Sequence, residues 1–400
     1  MKAIISPSIL KGNITPVSSK SMIHRALILA TITRGKTKIV DVDMSGDVAD
    51  SIRVCQLLGL EIKEEGRDLI VKSKGFNHNI KIDEKVVIKE SASTLRFFIP
   101  LLMLLNNGCI IEVGESLSKR PIDVYLDLFK GSITKEGNLI KLNHCDLAEF
   151  IELNDNSSSQ YISGLIFAYL ASKNDYRIKL NKIVSLPYFN MTIEMARLFG
   201  ARVSLENGEV IIGCSNLVCP KVINIEKDYS SASVFLALKE AGCNINVLGL
   251  TYGSLQGDKV ILDLLKEDDH YDLDLTDIPD LGPILFARAS TLKSLSRFRS
   301  TNRLELKESA RLSMMKLELA KFGVRLDLLD NEVIVYPKLE LNCNEYLDSH
   351  NDHRICMALI YLAVISRQEC EIRGIECLNK SYPNMLVDLI NIGLNVEIED

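Results

Sequence analysis

Six short segments of the chain place cationic side chains close to hydroxyl-bearing or acidic residues. Arginine and lysine in such numbers favour an anionic ligand, because a guanidinium group binds a carboxylate or phosphate through two parallel hydrogen bonds. The pattern therefore predicts a deep pocket for an anion in an otherwise acidic chain. The segments are Ser18–Arg25, Glu90–Arg96, Leu117–Pro121, Leu306–Arg311, Asn351–Arg354 and Lys380–Pro383.

The residues that open helical runs recur along the chain and would position these cations. Each run begins at a small polar residue and continues into an apolar helix, a polar break and a β-branched strand. The separations between successive starts are 72, 67, 72, 50 and 72 residues. The predicted starts are Ser19, Ser91, Ser158, Ser230, Asp280 and Asp352.

A second element alternates with the first and consists of an amphipathic helix, a glycine and two short strands around a turn. Met191–Gly213 and Ser309–Tyr336 show it most clearly, with Gly200 and Gly323 where a helix C-cap is expected. The chain thus reads as about six copies of one α/β unit of roughly 70 residues, which is too long and too mixed for a thin solenoid. Six copies more naturally form two lobes of three.

Two explanations compete for the polar residues at these helix starts. Ser and Asp are common N-caps, and capping alone explains most of them. A helix N-terminus with free N–H groups also attracts anions. Cations in the first turns favour the second explanation, because the helix dipole disfavours them there. They are Lys20, Arg25, Arg96 and Arg354, and further cations are expected at the starts of the second helices: Arg120, Lys307, Arg311 and Lys380.

Composition narrows the classes of protein further. The 400 residues, 25% charged and 47% hydrophobic, are typical of a globular protein of two or three domains. The net charge of -6 makes nucleic acid and anionic membranes poor partners. The longest apolar runs, such as Phe97–Leu105, are too short to span a bilayer, and the first residues lack a signal-peptide core. Ten cysteines without a CxxC pair indicate buried thiols of a cytoplasmic protein, not disulfides or a zinc site.

Taken together and in this order along the chain, the six segments resemble the EPSP synthase family, the 3-phosphoshikimate 1-carboxyvinyltransferases. The resemblance runs from Lys20 to Lys380, and six collinear motifs are specific although each alone is weak. It implies a two-lobed inverse α/β barrel, the enolpyruvyl transferase fold, with six βαβαββ units, three in each lobe. One lobe is expected at 19–227 and the other at 1–18 plus 228–400, with the active site in the cleft between them.

The resemblance also implies two anionic substrates, shikimate 3-phosphate and phosphoenolpyruvate, and neither a metal nor an organic cofactor. The residues expected around shikimate 3-phosphate are Ser21, Arg25, Ser158, Ser159, Ser185, Tyr188 and Lys307. Those expected around phosphoenolpyruvate are Lys20, Arg96, Arg120, Arg311, Arg354 and Lys380, and Gln160 is expected to touch both ligands. The implied role is aromatic amino-acid biosynthesis by the shikimate pathway to chorismate, and the family's usual form is a monomer.

Acid–base groups are expected from the reaction that the resemblance implies. The shikimate 5-hydroxyl adds to C2 of the enolpyruvyl group while C3 gains a proton, and phosphate leaves as C3 loses one. Asp280 matches the base and Glu308 the C3 proton donor, with Lys20 as a second acid–base candidate. His353 either tunes proton transfer or is a structural hydrogen-bonding histidine, and Asp352 is expected to cap a helix.

Two positions depart from the family pattern. Ala92 stands where the family usually has glycine, and its methyl group would narrow the phosphoenolpyruvate subsite. We therefore expect turnover to persist while the longer inhibitor glyphosate binds poorly. Arg303 lies near the expected shikimate site, where the family more often has Asn or Glu, and no role is assigned to it. Asp258 is interpreted as structural.

Two other functions fit parts of the sequence. The sister UDP-N-acetylglucosamine enolpyruvyl transferase has Lys-Asn where this chain has Lys20-Ser21, and it carries a catalytic cysteine that the region 117–121 lacks. A non-catalytic anion-binding homologue has no need of an acid–base pair, yet Asp280 and Glu308 are both present. Phosphate release measured with each acceptor distinguishes the three functions.

Overall fold

The computed structural model describes residues 1–153, 158–343 and 345–400. In these residues the chain forms two compact units. Unit 1 comprises Met1–Val17 and Lys227–Asp400, and unit 2 comprises Ser18–Glu226. The chain therefore leaves unit 1 after its first strands, completes unit 2 and returns.

Short β-strands alternate with helices along the described chain. In chain order the strands are β1 (Lys2–Ser6), β2 (Lys11–Ile14), β3 (Arg34–Val40), β4 (Glu61–Glu65), β5 (Asp68–Lys74), β6 (Val86–Ile88), β7 (Cys109–Val113), β8 (Ile133–Glu136), β9 (Leu139–Leu142), β10 (Phe150–Leu153), β11 (Tyr176–Leu180), β12 (Arg202–Glu206), β13 (Glu209–Gly213), β14 (Val222–Asn224), β15 (Asn244–Val247), β16 (Asp272–Asp274), β17 (Ser296–Arg299), β18 (Leu326–Leu329), β19 (Glu332–Val335), β20 (Leu347–Asp348), β21 (Cys370–Arg373) and β22 (Asn395–Glu399).

The helices between these strands differ widely in length. The α-helices are α1 (Lys20–Ile32), α2 (Gly46–Leu57), α3 (Ala92–Leu102), α4 (Glu115–Ser118), α5 (Asp123–Leu128), α6 (Ser159–Ser172), α7 (Leu186–Leu198), α8 (Tyr229–Glu240), α9 (Ile261–Leu264), α10 (Gly282–Ala289), α11 (Arg311–Lys321), α12 (His353–Ser366) and α13 (Met385–Asn391). Single 3-10 turns occupy Gly257–Val260, Pro279–Leu281, Asn302–Leu306 and Ile375–Lys380.

The described part of unit 2 contains three four-stranded sheets of one topology. In the second sheet β6 and β7 are parallel, β7 and β9 are antiparallel, and β8 and β9 form a hairpin. The third sheet repeats this order with β10 to β13. The first sheet is completed by β14, which comes from the end of the unit and pairs in parallel with β3. Each sheet with its two helices is the predicted βαβαββ unit.

Unit 1 repeats the same topology with one exception among its described sheets. β16 to β19 form a complete copy, and in the last copy β1 fills the place of a hairpin strand by pairing antiparallel with β21 and β22. The remaining sheet contains only β2 and β15, which are parallel. A 3-10 turn and the short α9 follow β15 in place of the hairpin. This shortened copy explains the separation of 50 residues, where the others are 67 or 72.

The longest apolar helices of each unit lie inside, and the sheets lie outside. In α6 every residue from Tyr161 to Ala171 is buried, and α12 is buried from His353 to Val364. A helix that is apolar on all sides must be enclosed, whereas β11 alternates buried and exposed residues and so presents one face to solvent. This is the arrangement expected for an inverse α/β barrel. Strands of different described sheets do not pair, so the sheets do not close into a continuous barrel.

Gly164 allows α6 to approach α3 closely. A Cβ atom at this position would lie 2.3 Å from the carbonyl oxygen of Arg96 and 2.5 Å from the hydroxyl of Tyr125. The close contact holds the helix turns that carry Arg96 and Gln160 beside each other. None of the described helices is both long and apolar enough to cross a membrane.

Candidate active site

In unit 2 the guanidinium group of Arg25 is buried and held by neutral oxygens. The residue lies in the second turn of α1 and is 2% exposed. Its Nε donates to Thr192 Oγ1 at 2.8 Å, and its terminal nitrogens donate to the carbonyl oxygens of Ser21 and Tyr188 at 2.7 and 2.9 Å. Burial lowers the pKa of Arg25 to about 10, so the group is still a cation at neutral pH.

The charge of Arg25 has no counter-ion among the described residues. Three of its five N–H groups are used by the neutral oxygens, and two remain for a ligand. A buried cation without a carboxylate partner is costly, because desolvation is not offset by an ion pair. The Phe97 ring, whose centroid lies 5.1 Å from Cζ, offsets only part of this cost. The geometry therefore favours an anion at Arg25.

Arg96 repeats this arrangement on α3. It is 6% exposed, and its terminal nitrogens donate to Gln160 Oε1 at 2.8 Å and to the carbonyl oxygen of Pro121 at 2.9 Å. Gln160 in turn donates to Ser93 Oγ at 2.8 Å, so the guanidinium group is fixed through α6. Burial lowers the pKa of Arg96, and the nearby charge of Arg120 lowers it further. Two buried guanidinium groups near each other repel unless an anion lies between or beside them.

The remaining predicted residues of the first helices surround these arginines. Lys20 opens α1, and its Nζ forms an ion pair with Asp47 Oδ2 at 2.8 Å. Ser21 follows it and supplies its carbonyl oxygen to Arg25. Ala92 is the first residue of α3, 6% exposed, directly after the capping residue Ser91.

The serines predicted to surround a phosphate lie at the starts of α6 and α7. Ser158 caps α6 by accepting a hydrogen bond from the Gln160 amide at 3.3 Å, and Ser159 beside it is buried. Ser185 precedes α7 with a φ of 54°, in the left-handed region, and it makes no side-chain cap.

In unit 1 the guanidinium group of Arg311 joins three carboxylates. Arg311 begins α11 and is 1% exposed. It donates to Asp280 Oδ1 at 3.0 Å, to Glu308 Oε2 at 2.6 Å, and from Nε to Asp352 Oδ2 at 2.8 Å. Ser309 Oγ also donates to Asp352, at 3.2 Å. Arg311 thus brings together the predicted base, the predicted proton donor and a helix-capping carboxylate.

Asp280 is held as an anion by neighbouring cations. Burial alone would raise its pKa, but Lys307 and Arg311 outweigh it and hold the pKa well below the usual range for aspartate. Lys307 Nζ lies 3.1 Å from Asp280 Oδ1, and burial lowers the lysine's own pKa while Asp280 partly offsets this. Burial also lowers the pKa of Arg303. The charge of Asp280 partly offsets this lowering, so the Arg303 guanidinium lies close to the same carboxylate.

The start of α12 carries a second buried cation. Asp352 caps the helix by accepting from the Arg354 amide at 2.9 Å, and His353 beside it is 2% exposed. The Arg354 guanidinium is 4% exposed and reaches Asp228 Oδ1 at 4.0 Å. Near them, burial raises the pKa of Asp258 to about 7, although it accepts a hydrogen bond from Ser230.

The family is decided by sequence comparison. The family model for EPSP synthase (3-phosphoshikimate 1-carboxyvinyltransferase) matches residues 4–389. The chain belongs to this family. Relatives named 3-phosphoshikimate 1-carboxyvinyltransferase from Clostridium perfringens and Clostridium acetobutylicum are 31% and 32% identical to it. The first alignment covers 98% of both chains, and the second covers 98% of this chain and 97% of the relative.

The fold agrees with that of the EPSP synthase family. A solved EPSP synthase from Acinetobacter baumannii superposes with a TM-score of 0.81 over 100% of both chains. Its sequence is only 19% identical to this one, so this likeness concerns the fold alone. The two-lobed enolpyruvyl transferase fold expected from the motifs is therefore confirmed.

Several residues of the family motifs do not lie where the helix pattern predicted. Ser230 lies inside α8, which Asp228 caps by accepting from the Ser231 amide at 2.7 Å. Asp280 lies in a 3-10 turn that precedes α10, and Lys380 ends a 3-10 turn that precedes α13. Apolar periodicity misses such turns, because it locates the helix face and not the irregular residues that lead into it.

Arg120 differs from the prediction in the same way, since it lies between α4 and α5 and not at a helix start. It is nevertheless 8% exposed and close enough to Arg96 to affect its pKa. Lys380 donates to the carbonyl oxygen of Asn351 at 2.8 Å, which links it to the start of α12. Arg303 donates to the carbonyl oxygen of Thr276 at 2.9 Å, beside the segment that leads to Asp280.

The partners that fix these cations were not predicted. Asp47 binds Lys20 from 27 residues away, and Thr192 binds Arg25 from 167 residues away. Asp228 near Arg354 was missed because the helix start was placed at Ser230. The only local signal was at Asp47, which lies in the first turn of a helix that Ser45 caps.

Proposed function

We propose that the protein transfers the enolpyruvyl group of phosphoenolpyruvate to the 5-hydroxyl of shikimate 3-phosphate and releases phosphate. One structural observation supports this proposal in addition to family membership. The guanidinium groups of Arg25 and Arg96 are buried, and within the described part of the chain their hydrogen-bond acceptors are neutral oxygens, which favours anionic substrates. Both substrates are polyanions, and each supplies a carboxylate and a phosphate.

Unit 2 supplies most of the groups for shikimate 3-phosphate. Arg25 and Ser21 hold the ring carboxylate, for which the two unused N–H groups of Arg25 are suited. Ser158, Ser159 and Ser185 surround the phosphate, with Lys307 as a further cation. Tyr188 packs near the ring and, through its carbonyl oxygen, also holds Arg25.

Phosphoenolpyruvate binds to the remaining cations. Arg96 donates a hydrogen bond to Gln160, which orients the guanidinium group and touches both ligands. Arg311 pairs with three carboxylates, so its main effect is to hold Asp280 and Glu308 in place. The other cations of this subsite are Lys20, Arg120, Arg354 and Lys380.

Asp280 accepts the proton of the 5-hydroxyl. Its pKa lies well below the usual range, so it is ionised at neutral pH and available as a hydrogen-bond acceptor. Such a stabilised anion takes the proton only as the new C–O bond makes the hydroxyl acidic, which is general base catalysis in the transition state. Glu308 donates the proton that C3 gains, although its ion pair with Arg311 favours the ionised form of Glu308. Lys20 is the second candidate for this proton, and His353 adjusts proton transfer nearby.

The compact units are, in this proposal, the two lobes of three repeats, and the protein acts as a monomer in the cytoplasm. Sedimentation velocity tests the monomer, and a dimer at catalytic concentrations would contradict it.

Phosphate release from phosphoenolpyruvate tests the reaction. We expect release only when shikimate 3-phosphate is present. Asp280→Asn should lower kcat by about 10²- to 10⁴-fold, the usual contribution of a general base. Asp327→Asn is the matched control, because this carboxylate of the same unit is 29% exposed and lies in an ion pair with Arg325, away from the proposed base. Release only with UDP-N-acetylglucosamine would assign the protein to the sister reaction. No release with either acceptor from folded protein would leave a binding function.

A further inference from the structure

A second pocket lies in unit 1, at the opposite ends of the helices that lead from candidate active-site residues. Helices α8, α10 and α12 start beside Asp228, Asp280 and Asp352. Their C-terminal ends border a pocket of about 1140 Å³. Since α12 contains 14 residues, roughly 20 Å separates its two ends. The pocket is therefore distinct from the candidate active site.

One wall of the pocket is the segment 337–342 between β19 and β20. This segment is fixed at both ends. The Lys338 amide donates to the Ser290 carbonyl oxygen at 2.8 Å, and the Cys343 amide donates to Gln368 Oε1 at 3.3 Å. The wall thus belongs to the folded unit. Its apolar lining comes from Leu292, Pro337, Leu341 and Ile365.

The charged lining of the pocket is positive. Arg288, Lys338 and Arg367 line it and form no ion pair with the described residues. Lys293 also lines it, but Asp268 neutralises this lysine at 2.6 Å. Glu340 and the C-terminal ends of α8, α10 and α12 oppose these three cations, each helix end acting as about half a negative charge. The balance is about half a positive charge, which suits a monoanion better than a phosphate dianion.

The floor of the pocket holds polar groups whose hydrogen bonds are incomplete. Arg288 is held by a bond to Thr291 Oγ1 at 2.8 Å, but its Nε is buried without a partner in the described residues. The Tyr361 side chain is fully buried, and its hydroxyl also lacks a partner there. Arg288 and Thr291 lie near the Tyr361 hydroxyl and offset part of the rise that burial causes in its pKa. Such groups favour a ligand that supplies an acceptor oxygen.

We propose that this pocket binds a small organic monocarboxylate with an apolar body. The carboxylate pairs with the Arg288 guanidinium, which Thr291 already orients for a two-point contact. The apolar body packs against Leu292, Leu341 and Ile365, and Lys338 and Arg367 attract the anion at the rim. The volume of about 1140 Å³ slightly exceeds the range of about 300–1,000 Å³ that is usual for pockets of drug-sized ligands, so such a ligand fits. The proposal is independent of the proposed reaction, since none of its residues takes part in that reaction.

Phenylacetate is a suitable probe, with phenylacetamide as the neutral isostere and inorganic phosphate as the anion without an apolar body. Isothermal titration calorimetry on the full chain measures binding, since the absence of tryptophan excludes tryptophan fluorescence. We expect phenylacetate to bind more tightly than both comparison compounds. Arg288→Gln should weaken it about tenfold, as expected for a lost hydrogen bond to a charged group.

The rim supplies milder variants with less risk to folding. Lys338→Gln and Arg367→Asn should each weaken phenylacetate binding about two- to fivefold, as for a partly solvated charge pair. Asparagine is chosen at 367 because this residue has a φ of 56°, which asparagine tolerates. Lys266→Gln is the control, an exposed lysine of the same unit paired with Asp263, and it should leave binding unchanged.

Three results would overturn the proposal. The first is no phenylacetate binding at about 10 mM, which corresponds to less than 3 kcal/mol of affinity. The second is equal binding of phenylacetamide, which would mean that the carboxylate is not recognised. The third is binding that Arg25→Met abolishes while the rim variants retain it, because the anion would then occupy the candidate active site.

Discussion

Replacing Arg311 by methionine tests whether the three carboxylates around it depend on its charge. The side chain is 1% exposed and lies within 3.0 Å of Asp280, Glu308 and Asp352. Removing one partner of a buried ion pair leaves an uncompensated charge and typically costs about 3–5 kcal/mol. Lys307 still neutralises part of the charge on Asp280, so we expect a loss in that range and not a multiple of it.

The loss should depend on pH, and the sign follows from the pKa values. In the wild type, the pKa of Asp280 is held well below 3.8, so its contribution to stability is complete above about pH 5 and is lost as the pH falls below that. Without Arg311 the carboxylates are buried beside one another, which raises their pKa values in the folded state. A folded state that takes up a proton gains stability as the pH falls. The deficit at pH 5.5 should therefore be smaller than at pH 7 by about 1.4 kcal/mol for each pKa unit by which a carboxylate exceeds 5.5.

Hydrogen exchange measured by mass spectrometry separates the two units, which a single unfolding curve does not. Peptides from α8, α10 and α12 should lose protection in the Arg311→Met variant, and peptides from α3 and α6 in unit 2 should keep it. Arg325→Met is the control, because Arg325 is 67% exposed in its ion pair with Asp327. Unchanged protection in unit 1, or the same deficit at pH 5.5 and pH 7, would refute the reasoning.

Three further predictions concern single positions. Ala92→Gly should keep phosphate release but lower the glyphosate concentration for half-inhibition at least tenfold, and low-micromolar inhibition of the wild type would contradict the role given to this methyl group. Gly164→Ala should cost about 1–3 kcal/mol of unfolding free energy and raise KM, since its Cβ would lie 2.3 Å from the Arg96 carbonyl oxygen, whereas Gly253→Ala, with nothing within 4 Å, should do neither. Burial raises the pKa of Asp258 to about 7, so the folded state keeps a proton that the unfolded state has lost, and stability should fall as the pH rises from about 4 to 7. Asp258→Asn should remove that slope in thermal unfolding, and an equal slope in both proteins would contradict the burial argument.

Much of the fold could be predicted from the spacing of helix starts, because each repeat must bury one helix. The apolar runs that predicted these helices are the residues that lie inside, as in α6 and α12. Even the irregular copy left a signal, since the separation of 50 residues marks the sheet of β2 and β15 that lacks a hairpin. The completion of the last sheet by β1 could not be predicted, because short strands carry no information about partners that lie hundreds of residues away.

Residue types of the site were predictable, but their partners were not. A lysine or arginine in the first two turns of a helix runs against the usual charge preference, so Lys20, Arg25 and Arg96 stand out in the sequence. The acceptor of each is set by tertiary packing, as the distance of 167 residues between Arg25 and Thr192 shows. Residues in 3-10 turns that lead into helices, such as Asp280, were also misplaced, because tertiary packing sets where such a turn forms.

The two units use their buried cations in different ways, and this difference has a consequence for binding. In unit 2, Arg25 and Arg96 contact neutral oxygens, so an arriving anion gains an interaction without displacing another. In unit 1, Arg311 and Lys307 are already paired with carboxylates, so an anion there must compete with Asp280 and Glu308. A ligand held mainly by unit 2 should therefore bind more readily to the free protein than one that depends on the cations of unit 1. In the proposed reaction the same competition would act on Asp280 and Glu308, because a carboxylate whose cation is drawn toward a substrate anion loses its stabilisation and becomes a stronger base.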